Sequence, residues 1–497
     1  MKISIAQLMR DSQVKFGTSG ARGLVSDMTE RVCYGYTLGF IQYLEKTQQL
    51  PTRGQKNRKI ALAGDLRESS AQILNACARA IIDSGCQLVY CARIATPAVA
   101  LYGLSYQCPA IMVTGSHIPD DRNGIKFYKL AGEILKQDEA AIKAQEINLP
   151  DTMFAANGSF KQQNNYLDKI DSSALDDYRS RYLQLFPGKA LTGKKIGVYQ
   201  QSSVIRDLLP QLLRSMGAQV VELARSERFI PVDTEAVRPQ DIELAKQWSE
   251  EYQLDAIVST DGDADRPLIA DENGHWMRGD IIGFMCAQYL QIDHLVTPIS
   301  SNSSVEKSGF FVDVKRTRIG SPYVIAAMNH YVEDHYAAVA GYEANGGFLL
   351  ATPVRINGYL LSPLPTRDAL IVLLSLLHSS VQNKLSLAQL SSQLPQRYTY
   401  SACVKDFSAQ KSRQILAHFS QADDRQNKAV IEADLAALGK VKQTNTLDGL
   451  RITFSNDNII HFRPSGNAPE FRCYSEADSL AEAEKINNIA LQVVLAH

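Results

Sequence analysis

The feature of this sequence that most constrains its fold is the alternation of short apolar runs with segments of helical periodicity. A clear example is the pair KIALAGD and QLVYCARIA, which flank SSAQILNACARAIIDSG, where apolar residues recur at helical spacing. A strand, a helix and a second strand in this order predict a βαβ unit. The same order is repeated by KKIGVYQQ, VIRDLLPQLLRSMG, AQVVELA and LDAIVSTDGD, and a third region from about Asp280 to Pro395 again alternates strands with helices.

The residues after Pro395 follow a different pattern. They contain the strand-like segments YTYSACV, GLRITF and NIIHFRP together with two amphipathic helices, which is an α+β arrangement. The sequence therefore predicts an α/β protein in which three consecutive mixed α/β domains are followed by a smaller α+β C-terminal domain. We expect these domains to span residues 1–157, 158–276, 277–395 and 396–497.

The charge balance and the hydropathy pattern exclude two classes of partner. The 52 basic and 53 acidic residues leave a formal net charge of -1, so we expect no nucleic-acid partner, and an anionic substrate must be attracted by a local group of cations. The longest apolar run, from Ala369 to Leu377, has about half of the ~20 residues that a membrane span requires, so it predicts a buried helix and no membrane span.

The N-terminal segment and the cysteines indicate a cytoplasmic protein. The segment MKISIAQLMRDSQVKFG lacks the features of a signal peptide. The eight cysteines are scattered without a CxxC pair, which favours thiols packed in the core of a protein from a reducing compartment over a zinc site or a redox pair.

A serine follows directly on a predicted strand in the segment VTGSHIPDDRNGIKFYK. The apolar run AIMV ends before Thr114, and Ser116 comes next in a Gly-Ser-His turn, where a hydroxyl is exposed for reaction. Asn123 and Gly124 predict a tight turn into the strand IKFY. Taken alone, the serine is better explained by an ordinary loop, because serine is common in loops and the segment is not the GxSxG elbow of a hydrolase.

Three carboxylates at alternate positions follow the buried strand of DAIVSTDGDADRPLIADENG. The oxygens of Asp261, Asp263 and Asp265 can converge on one hard cation, for which Mg²⁺ or Ca²⁺ is preferred to zinc. An EF-hand is excluded because Arg266 stands where that loop needs glycine and because a strand follows. Mg²⁺ is favoured over a solvated acidic turn, and since Mg²⁺ usually shares its ligand shell with phosphate oxygens, the pattern implies a bound phosphate.

A possible phosphate clamp follows the strand of NIIHF. The segment HFRPSGNAPEFRCYSEA combines two arginines with a Ser-Gly turn, and such groups bind phosphate oxygens through side-chain and backbone donors. The residues concerned are Arg463, Ser465, Gly466, Asn467 and Arg472. On local evidence alone a solvated basic loop is the default interpretation of this segment, and only its place in the whole set of motifs favours the clamp.

A carboxylate stands in the Gly- and Asn-rich turn of AGYEANGGFLLA. Glu343, with Asn345 close behind it, can accept hydrogen bonds from sugar hydroxyls, although an ordinary turn with an exposed acid fits the local sequence equally well.

Together these segments supply a nucleophile, a hard-metal triad, a hydroxyl acceptor and a phosphate clamp. In this set and order the chain resembles the alpha-phosphohexomutase family of phosphomannomutases, phosphoglucomutases and phosphoglucosamine mutases. The matches extend from KFGTSGARG near the N-terminus to the segment RPSGNAPEFR, which is essentially the whole chain.

The resemblance implies roles for individual residues. The serine of the family's TxSHxP-like loop carries a phosphoryl group, which corresponds here to Ser116 with His117 beside it. The DGDxDR motif corresponds to residues 261–266 and assigns Mg²⁺ to the three aspartates, with the Ser116 phosphate as a further ligand. Arg266 then belongs to the substrate-binding residues.

Two further motifs add cations to the implied active site. The TSGxRG motif matches residues 18–23 and makes Arg22 an active-site cation, and the NGxKF motif places Lys126 near the reacting phosphate. Lys126 and His117 are the candidates for the general base, and a lysine crowded by Arg22 is expected to have a lowered pKa.

The chain also departs from the family's motifs. In the GExSxH motif, the serine and the histidine are replaced by Asn345 and Gly347, which affects the predicted sugar contacts. In the RPSGTEPxxR motif, Asn467 and Ala468 replace threonine and glutamate, while both arginines are kept. Ile118 stands where many members have asparagine.

The implied reaction runs in two steps around a central cleft. The phosphoryl group on Ser116 is transferred to a hexose monophosphate, which gives a hexose 1,6-bisphosphate, and the other phosphoryl group is then returned to the serine. Mannose and glucose phosphates are the expected substrates. The alternatives are a phosphoglucosamine mutase, a Mg²⁺-dependent sugar phosphatase and a sugar-phosphate-binding protein without catalysis.

Overall fold

The computed structural model describes residues 2–17, 20–55, 57–420, 423–464 and 470–497. Two compact units are formed by these residues. The large unit comprises Met1–His294 and Gly320–Ser391, and the small unit comprises Leu295–Ile319 and Ser392–His497. The four-part division expected from the sequence stays a prediction.

The N-terminal part of the large unit is built around a sheet in the strand order β2-β3-β7-β6-β4-β5, with β8 paired to β7 and a separate pair of β1 and β9. Its elements are β1 (Lys2–Ser4), α1 (Ile5–Ser12), β2 (Lys15–Phe16), β3 (Ala21–Leu24), α2 (Glu30–Lys46), β4 (Lys59–Gly64), α3 (Ser70–Asp83), β5 (Gln87–Arg93), α4 (Thr96–Ser105), β6 (Ala110–Val113), β7 (Arg122–Lys129), β8 (Gly132–Glu133), α5 (Lys136–Lys143) and β9 (Glu146–Asn148).

The first predicted βαβ unit is confirmed. Strands β4 and β5 are parallel and are connected by α3, and β6 lies parallel to β4 on its other side. Helix α3 buries Ile73, Leu74, Cys77 and Ile81, the apolar residues whose helical spacing predicted it. These residues belong to the core that α3 shares with α2 and the sheet.

The tight turn expected at Asn123 and Gly124 is wrong. Both residues lie inside β7, where Asn123 pairs with Gly23 and Gly124 pairs with Arg22 of β3. Neither of them has the positive φ that the expected turn requires. Both residues pair with β3 on one side of β7, and on the other side the carbonyl of Gly124 accepts a hydrogen bond from the N–H of Thr114. This pairing overrides the local preference of Asn-Gly for turns.

The second part of the large unit repeats the βαβ plan in a four-stranded sheet with the order β11-β10-β12-β13. Strand β10 is parallel to β11 and β12, and β13 returns antiparallel to β12. The elements are α6 (Ser173–Leu185), β10 (Lys195–Gln201), α7 (Leu208–Ser215), β11 (Gln219–Arg225), α8 (Pro239–Tyr252), β12 (Ala256–Thr260) and β13 (Pro267–Ala270).

The following stretch again alternates helices and strands. Its elements are α9 (Gly279–Tyr289), β14 (His294–Pro298), α10 (Ser304–Lys307), β15 (Asp313–Thr317), α11 (Ser321–Glu333), β16 (Val339–Tyr342), β17 (Phe348–Leu350), β18 (Val354–Ile356), β19 (Tyr359–Leu361), β20 (Leu364–Asp368), α12 (Ala369–Asn383) and α13 (Leu387–Ser392). In the large unit, β17 lies between β16 and β20 and is antiparallel to both. The run ALIVLLSLL forms the buried part of α12, as expected. Within the described part of the chain, no helix combines the length and the apolar character that a bilayer span needs.

The C-terminal part of the small unit is a five-stranded antiparallel sheet with the order β21-β25-β24-β23-β22. Its elements are β21 (Tyr398–Val404), α14 (Ala409–His418), α15 (Asp424–Asp434), the 3₁₀ helix Ala436–Leu438, β22 (Val441–Asn445), β23 (Leu450–Phe454), β24 (Ile459–Pro464), β25 (Phe471–Ala477) and α16 (Leu480–Ala496). The predicted α+β class of this region is confirmed, but the expected number of two helices is wrong. The polar helix α15 was missed because Ile431 is its only fully buried apolar residue among those described.

The cysteines follow the expectation with one exception. All eight are free thiols, and seven are buried, whereas Cys403 on β21 is exposed.

Candidate active site

Ser116 lies just beyond the end of β6 and is buried in the large unit. Its φ of 54° is in the left-handed region, which residues other than glycine adopt rarely and at an energetic cost. Its hydroxyl donates a hydrogen bond of 2.6 Å to Oδ2 of Asp261, and Nδ1 of His117 lies 3.3 Å from the same Oγ atom. The serine and the acidic loop, separated by 145 residues in the sequence, therefore meet in space.

The turn that carries Ser116 is held by Asp65, which directly follows β4. Oδ2 of Asp65 accepts hydrogen bonds from Oγ1 of Thr114 at 2.8 Å and from the N–H of Gly115 at 3.3 Å. Oγ1 of Thr114 accepts in turn from the N–H of Ser116 at 2.8 Å. Because β4 and β6 are parallel neighbours, their carboxyl ends lie at the same edge of the sheet, and this places Asp65 beside the turn.

Arg67 fixes the path of the chain after the serine. Its buried guanidinium donates hydrogen bonds to the carbonyl oxygens of Ser116 at 3.0 Å, Ile118 at 2.5 Å and Pro119 at 2.8 Å. Its Cζ atom lies 3.9 Å from the centroid of the Phe229 ring, which covers the other side of the guanidinium. The rigid guanidinium of Arg67 thus holds three carbonyl groups of the serine loop.

The acidic loop, residues 261–266, connects β12 to β13, whose pairing extends to Thr260 and Pro267. Within the loop the N–H of Ala264 donates to the carbonyl of Asp261, and the N–H of Asp261 donates to the carbonyl of Arg266. Ala264 has a φ of 57° and is a second left-handed residue of this site. The loop brings one carboxylate oxygen of each acid to within 4.8 Å of the others, and the acids are Asp261, Asp263 and Asp265.

Gly262 allows the acidic loop to approach the serine loop. A Cβ atom at this position would lie 2.8 Å from the Phe229 ring and 3.3 Å from the carbonyl oxygen of Ser116. A side chain here would therefore push the two loops apart.

The acidic triad fits a hard divalent cation. Oδ1 of Asp263 and Oδ1 of Asp265 are buried without a hydrogen-bond partner, which is costly for a carboxylate unless a cation is bound. Burial raises the pKa of Asp261 well above its ordinary value, and the neighbouring charges of Asp263 and Asp265 raise it further. An all-oxygen ligand set of high negative charge suits Mg²⁺.

Lys126, on β7, pairs with the triad directly. Its Nζ atom lies 2.6 Å from Oδ2 of Asp263 and 2.6 Å from Oδ2 of Asp265. Thr96, at the start of α4, donates a further hydrogen bond of 2.5 Å to Oδ2 of Asp263. Burial lowers the pKa of Lys126, but the two carboxylates outweigh it and raise the pKa above its ordinary value. The lowered pKa expected from Arg22 is therefore wrong for this arrangement, because the nearest charges to Lys126 are negative.

Arginines give the site its positive character. Burial and the charges of Arg266 and Arg367 lower the pKa of Arg22 to about 10. Burial, followed by the charges of Arg266 and Arg22, lowers the pKa of His117 to about 2, so this imidazole is neutral at physiological pH. Lys126 and the arginines together offer a concentrated group of cations to an anionic substrate.

Arg367 joins the acidic loop to the loop of Glu343. It donates from Nη2 to Oδ2 of Asp265 at 2.9 Å and from Nη1 to Oε2 of Glu343 at 2.8 Å, and all three side chains are buried. A Cβ atom on Gly347 would lie 2.6 Å from Cδ of Arg367, so the side chain of Arg367 fits only because residue 347 is glycine. Asn345 is also buried, and its Oδ1 atom accepts a hydrogen bond of 2.9 Å from the N–H of Gly347.

In the small unit, the two arginines of the predicted clamp lie opposite each other on neighbouring strands. Arg463 of β24 pairs in register with Arg472 of β25, and directly opposite residues of antiparallel strands point to the same face of the sheet. Nε of Arg463 lies 3.1 Å from Oδ1 of Asp448, and Nη2 of Arg472 lies 3.2 Å from Oε2 of Glu470. The other members of the predicted clamp, together with Ala468, lie outside the described residues, and they are Ser465, Gly466 and Asn467.

The sequence analysis did not predict four residues that contact the site, and these are Asp65, Arg67, Thr96 and Arg367. Two of them carried a usable signal, since Asp65 directly follows a predicted apolar strand and Arg367 is the next-to-last residue of β20, just before the apolar helix α12. Arg67 and Thr96 carried none, because their partners come from distant parts of the chain.

Sequence comparison finds matches to three successive domain families. Their descriptions are phosphoglucomutase/phosphomannomutase alpha/beta/alpha domain I, which matches residues 13–149, domain II, which matches residues 176–274, and domain III, which matches residues 278–398. Together these matches cover well over half of the chain.

Full-length relatives agree with these matches. A phosphomannomutase from Salmonella muenchen is 46% identical over 96% of this chain and 94% of its own length. A phosphomannomutase from Sinorhizobium fredii is 41% identical over 95% of this chain and 97% of its own length. A phosphoglucosamine mutase from Clostridium botulinum is more distant, with 25% identity over 97% of this chain and 99% of its own length.

The fold is shared with solved structures. The crystal structure of a phosphoglucomutase/phosphomannomutase family protein from Burkholderia thailandensis has a TM-score of 0.68 at 17% identity, and the match covers 96% of this chain and 97% of the other. The predicted fold class of three α/β domains followed by a smaller C-terminal domain is thus confirmed.

Proposed function

This chain belongs to the phosphoglucomutase/phosphomannomutase family, and we propose that it interconverts the 6-phosphate and the 1-phosphate of mannose, of glucose or of both. It is an isomerase that acts by phosphoryl transfer, as the full-length relatives indicate. The observation that carries the proposal is the position of Ser116, whose Oγ atom lies 2.6 Å from the buried acidic triad. A nucleophile beside a hard-metal site is the arrangement that phosphoryl transfer requires.

The proposed reaction uses Ser116 twice. The phosphoryl group on Oγ of Ser116 is transferred to the free hydroxyl of a hexose monophosphate. The Oγ–P bond breaks as the new O–P bond forms, and the proton of that hydroxyl replaces the phosphoryl group on Oγ. The resulting hexose 1,6-bisphosphate returns its other phosphoryl group to Oγ, the serine proton passes to the sugar oxygen that is freed, and the isomeric monophosphate is released. The left-handed backbone at Ser116, held by Asp65 and Arg67, keeps Oγ aimed at the acidic loop during both steps.

Asp261, Asp263 and Asp265 are the residues that would hold Mg²⁺. When bound there, Mg²⁺ neutralises part of the charge on the phosphoryl oxygens. The buried Oδ1 atoms of Asp263 and Asp265 support this assignment, since neither of them accepts a hydrogen bond.

The cations around the triad have a separate role in the proposal. Arg22, Arg266 and the protonated Lys126 stabilise the charge of the phosphoryl group in the transition state, because their positive charges are held in fixed positions around the triad. His117 is neutral and its Nδ1 atom lies 3.3 Å from Oγ, so the imidazole stands beside the reacting oxygen without adding positive charge.

The remaining site residues are proposed to bind the part of the substrate that does not react. Arg463 and Arg472 present two guanidinium groups on one face of a sheet, which suits bidentate binding of the phosphate that is not transferred. Glu343 and Asn345 are proposed to contact the sugar, with Oε2 of Glu343 already accepting a bond from Arg367.

The cellular location is part of the proposal as well. Free thiols without disulfide bonds are typical of a reducing compartment, and on this basis we place the enzyme in the cytoplasm.

Initial rates of isomerisation with different sugar phosphates identify the preferred substrate. Mannose, glucose and glucosamine 1-phosphates are compared, each with catalytic amounts of the matching bisphosphate. We expect turnover of the mannose or the glucose compound and a rate at least about tenfold lower for glucosamine 1-phosphate, since phosphomannomutases are the more similar relatives. A higher rate with glucosamine 1-phosphate would replace this assignment with a phosphoglucosamine mutase, and release of inorganic phosphate in place of the isomer would indicate a phosphatase.

A further inference from the structure

A second group of side chains of the types that bind metals lies in the small unit and includes none of the residues of the proposed active site. Nε2 of His418 lies 2.7 Å from Oδ2 of Asp434, and Nε2 of His497 lies 3.0 Å from the same oxygen atom. The two imidazole rings lie side by side, with their centroids 4.5 Å apart. We call these three residues the His-Asp-His cluster.

The helices of the small unit place this cluster in a field that attracts cations. His418 is the last residue of α14, Asp434 is the last residue of α15, and His497 follows the last residue of α16. The carbonyl groups at a helix C-terminus carry partial negative charge, and here three such ends meet around a carboxylate. The partial negative charge comes from the backbone of the three helix ends, so it favours a bound cation in addition to the side chains.

The chemistry of the cluster selects the type of cation. Two imidazole nitrogens and one carboxylate oxygen form a ligand set of zinc sites that keep an open position for water, whereas Mg²⁺ prefers oxygen ligands alone. Bonds of about 2.0–2.1 Å to a tetrahedral zinc ion hold two ligand atoms roughly 3.3 Å apart. The separations of 2.7 Å and 3.0 Å between Oδ2 of Asp434 and the two Nε2 atoms therefore need to widen by about 0.3–0.6 Å.

We propose that the His-Asp-His cluster binds Zn²⁺ through Nε2 of His418, Oδ2 of Asp434 and Nε2 of His497, with water in the fourth position. The side chains are 39%, 27% and 35% exposed, so an ion has direct access from solvent. Phe419 packs against both imidazole rings, at centroid distances of 5.0 Å and 6.0 Å, and restricts their orientation. The bound ion would tie the C-terminal ends of α14, α15 and α16 together and thereby stabilise the small unit.

The cluster differs from the acidic triad in ways that a titration can separate. The triad is buried and offers only oxygen atoms, while the cluster is accessible and offers nitrogen atoms. The full-length protein is therefore first saturated with Mg²⁺ and then titrated with Zn²⁺ by calorimetry and with Co²⁺ by visible absorption. Asp263→Asn, which weakens the triad, serves to show that zinc binding is independent of it.

The expected result is one Zn²⁺ site per chain in the presence of Mg²⁺, with a Co²⁺ spectrum typical of four-coordinate nitrogen and oxygen ligation. His418→Gln and His497→Gln should each lower the Zn²⁺ affinity at least about tenfold, because the loss of even a residue that only supports a ligand has an effect of that size. His330→Gln is the matched control, since His330 is an exposed histidine beside Glu333 and outside the cluster. Asp263→Asn should leave the site unchanged.

A stability measurement gives a second test, in which His497→Gln carries little risk of misfolding because the residue lies beyond the last helix. At one fixed Zn²⁺ concentration, the ion should raise the Tm of the wild type and of His330→Gln, and this increase should be smaller in His497→Gln. The proposal is overturned if Zn²⁺ binds both cluster variants as tightly as the wild type, or if the Mg²⁺-saturated wild type binds no Zn²⁺, in which case the three side chains form only a hydrogen-bonded group.

Discussion

Individual side chains in the proposed active site are balanced by opposite charges at short range. Lys126 pairs with Asp263 and Asp265, and Arg367 pairs with Asp265 and Glu343, all of them buried. Each buried charge depends on its partner, since an unpaired charge in such a place costs several kcal/mol. Changes of single residues are therefore expected to have specific effects on metal binding and on activity.

Asp263→Asn is expected to raise the Mg²⁺ concentration that gives half-maximal activity. The substitution keeps the shape of the side chain but removes one negative charge from the site, so the attraction for a dication falls while the fold is retained. Activity measured over a range of Mg²⁺ concentrations checks this, with Asp334→Asn, a change of an exposed acid on the surface, as the control. An unchanged Mg²⁺ requirement, or full activity in the presence of a chelator, would remove the triad from the metal site.

Arg367→Met is expected to destabilise the protein by about 3–5 kcal/mol, because two buried carboxylates lose their partner. It should also lower kcat/KM by about tenfold or more, since Asp265 and the loop of Glu343 are no longer held in place. Thermal unfolding and steady-state kinetics measure the two effects. Arg355→Met, at an exposed arginine of the same unit, should change neither quantity.

Gly347→Ala can be combined with Arg367→Met in a double-mutant cycle. The added Cβ would lie 2.6 Å from Cδ of Arg367, so this change is expected to cost about 1–3 kcal/mol of stability in the wild type. The loss of stability caused by Gly347→Ala should be smaller in the Arg367→Met background. Without the guanidinium and its two ion pairs, the side chain at position 367 can move away from the added Cβ atom. Equal costs in both backgrounds would show that the two residues do not share this space.

Sequence reasoning found the residues whose signal is local and missed those whose partners are remote. Ser116 and the acidic triad follow apolar strands directly, and each lies in a motif a few residues long. Arg67 acts on residues about fifty positions away, and Arg367 acts on a carboxylate 102 positions away. Such contacts are produced by the strand order, which a single sequence does not reveal.

At the scale of elements, two strand pairs place the proposed functional loops. The hairpin of β12 and β13 presents the acidic loop, and the pair of β24 and β25 presents Arg463 and Arg472. The sequence predicted the βαβ units well, because the two parallel strands and the helix between them are consecutive segments of the sequence. It did not predict β25, whose polar sequence FRCYSEA becomes a strand because β21 and β24 pair with it on both sides.

Arg463→Ala is expected to raise KM by about ten- to a hundredfold, with a smaller fall in kcat. A charge-assisted bidentate bond to phosphate contributes roughly 1.5–3 kcal/mol, and this binding energy is lost for the phosphate that does not react. Steady-state kinetics and calorimetric titration with the sugar phosphate measure the effect. Arg413→Ala, at an exposed arginine of α14 in the same unit, is the control, and an unchanged KM in Arg463→Ala would exclude this arginine from substrate binding.

For the molecule as a whole, the net charge of -1 gives no general attraction for anions. The positive groups are instead concentrated around the acidic triad of the large unit, where Arg22, Arg266 and Arg367 influence one another's pKa. The composition predicted that positive side chains must be grouped locally, but only the fold identifies which residues form the group. The assignment of residues 295–319 to the small unit likewise follows from packing and has no signal in the sequence.

The phosphorylation state of Ser116 is the most direct test of the proposed reaction. Intact-mass and phosphopeptide analysis of the purified enzyme, incubated with the hexose bisphosphate, is expected to find one phosphoryl group on Ser116. Ser116→Ala should lack this group and should lose the great majority of turnover, while thermal unfolding shows that it is folded. A phosphoryl group on another residue, together with an active Ser116→Ala enzyme, would contradict the assignment of Ser116 as the residue that carries the phosphoryl group.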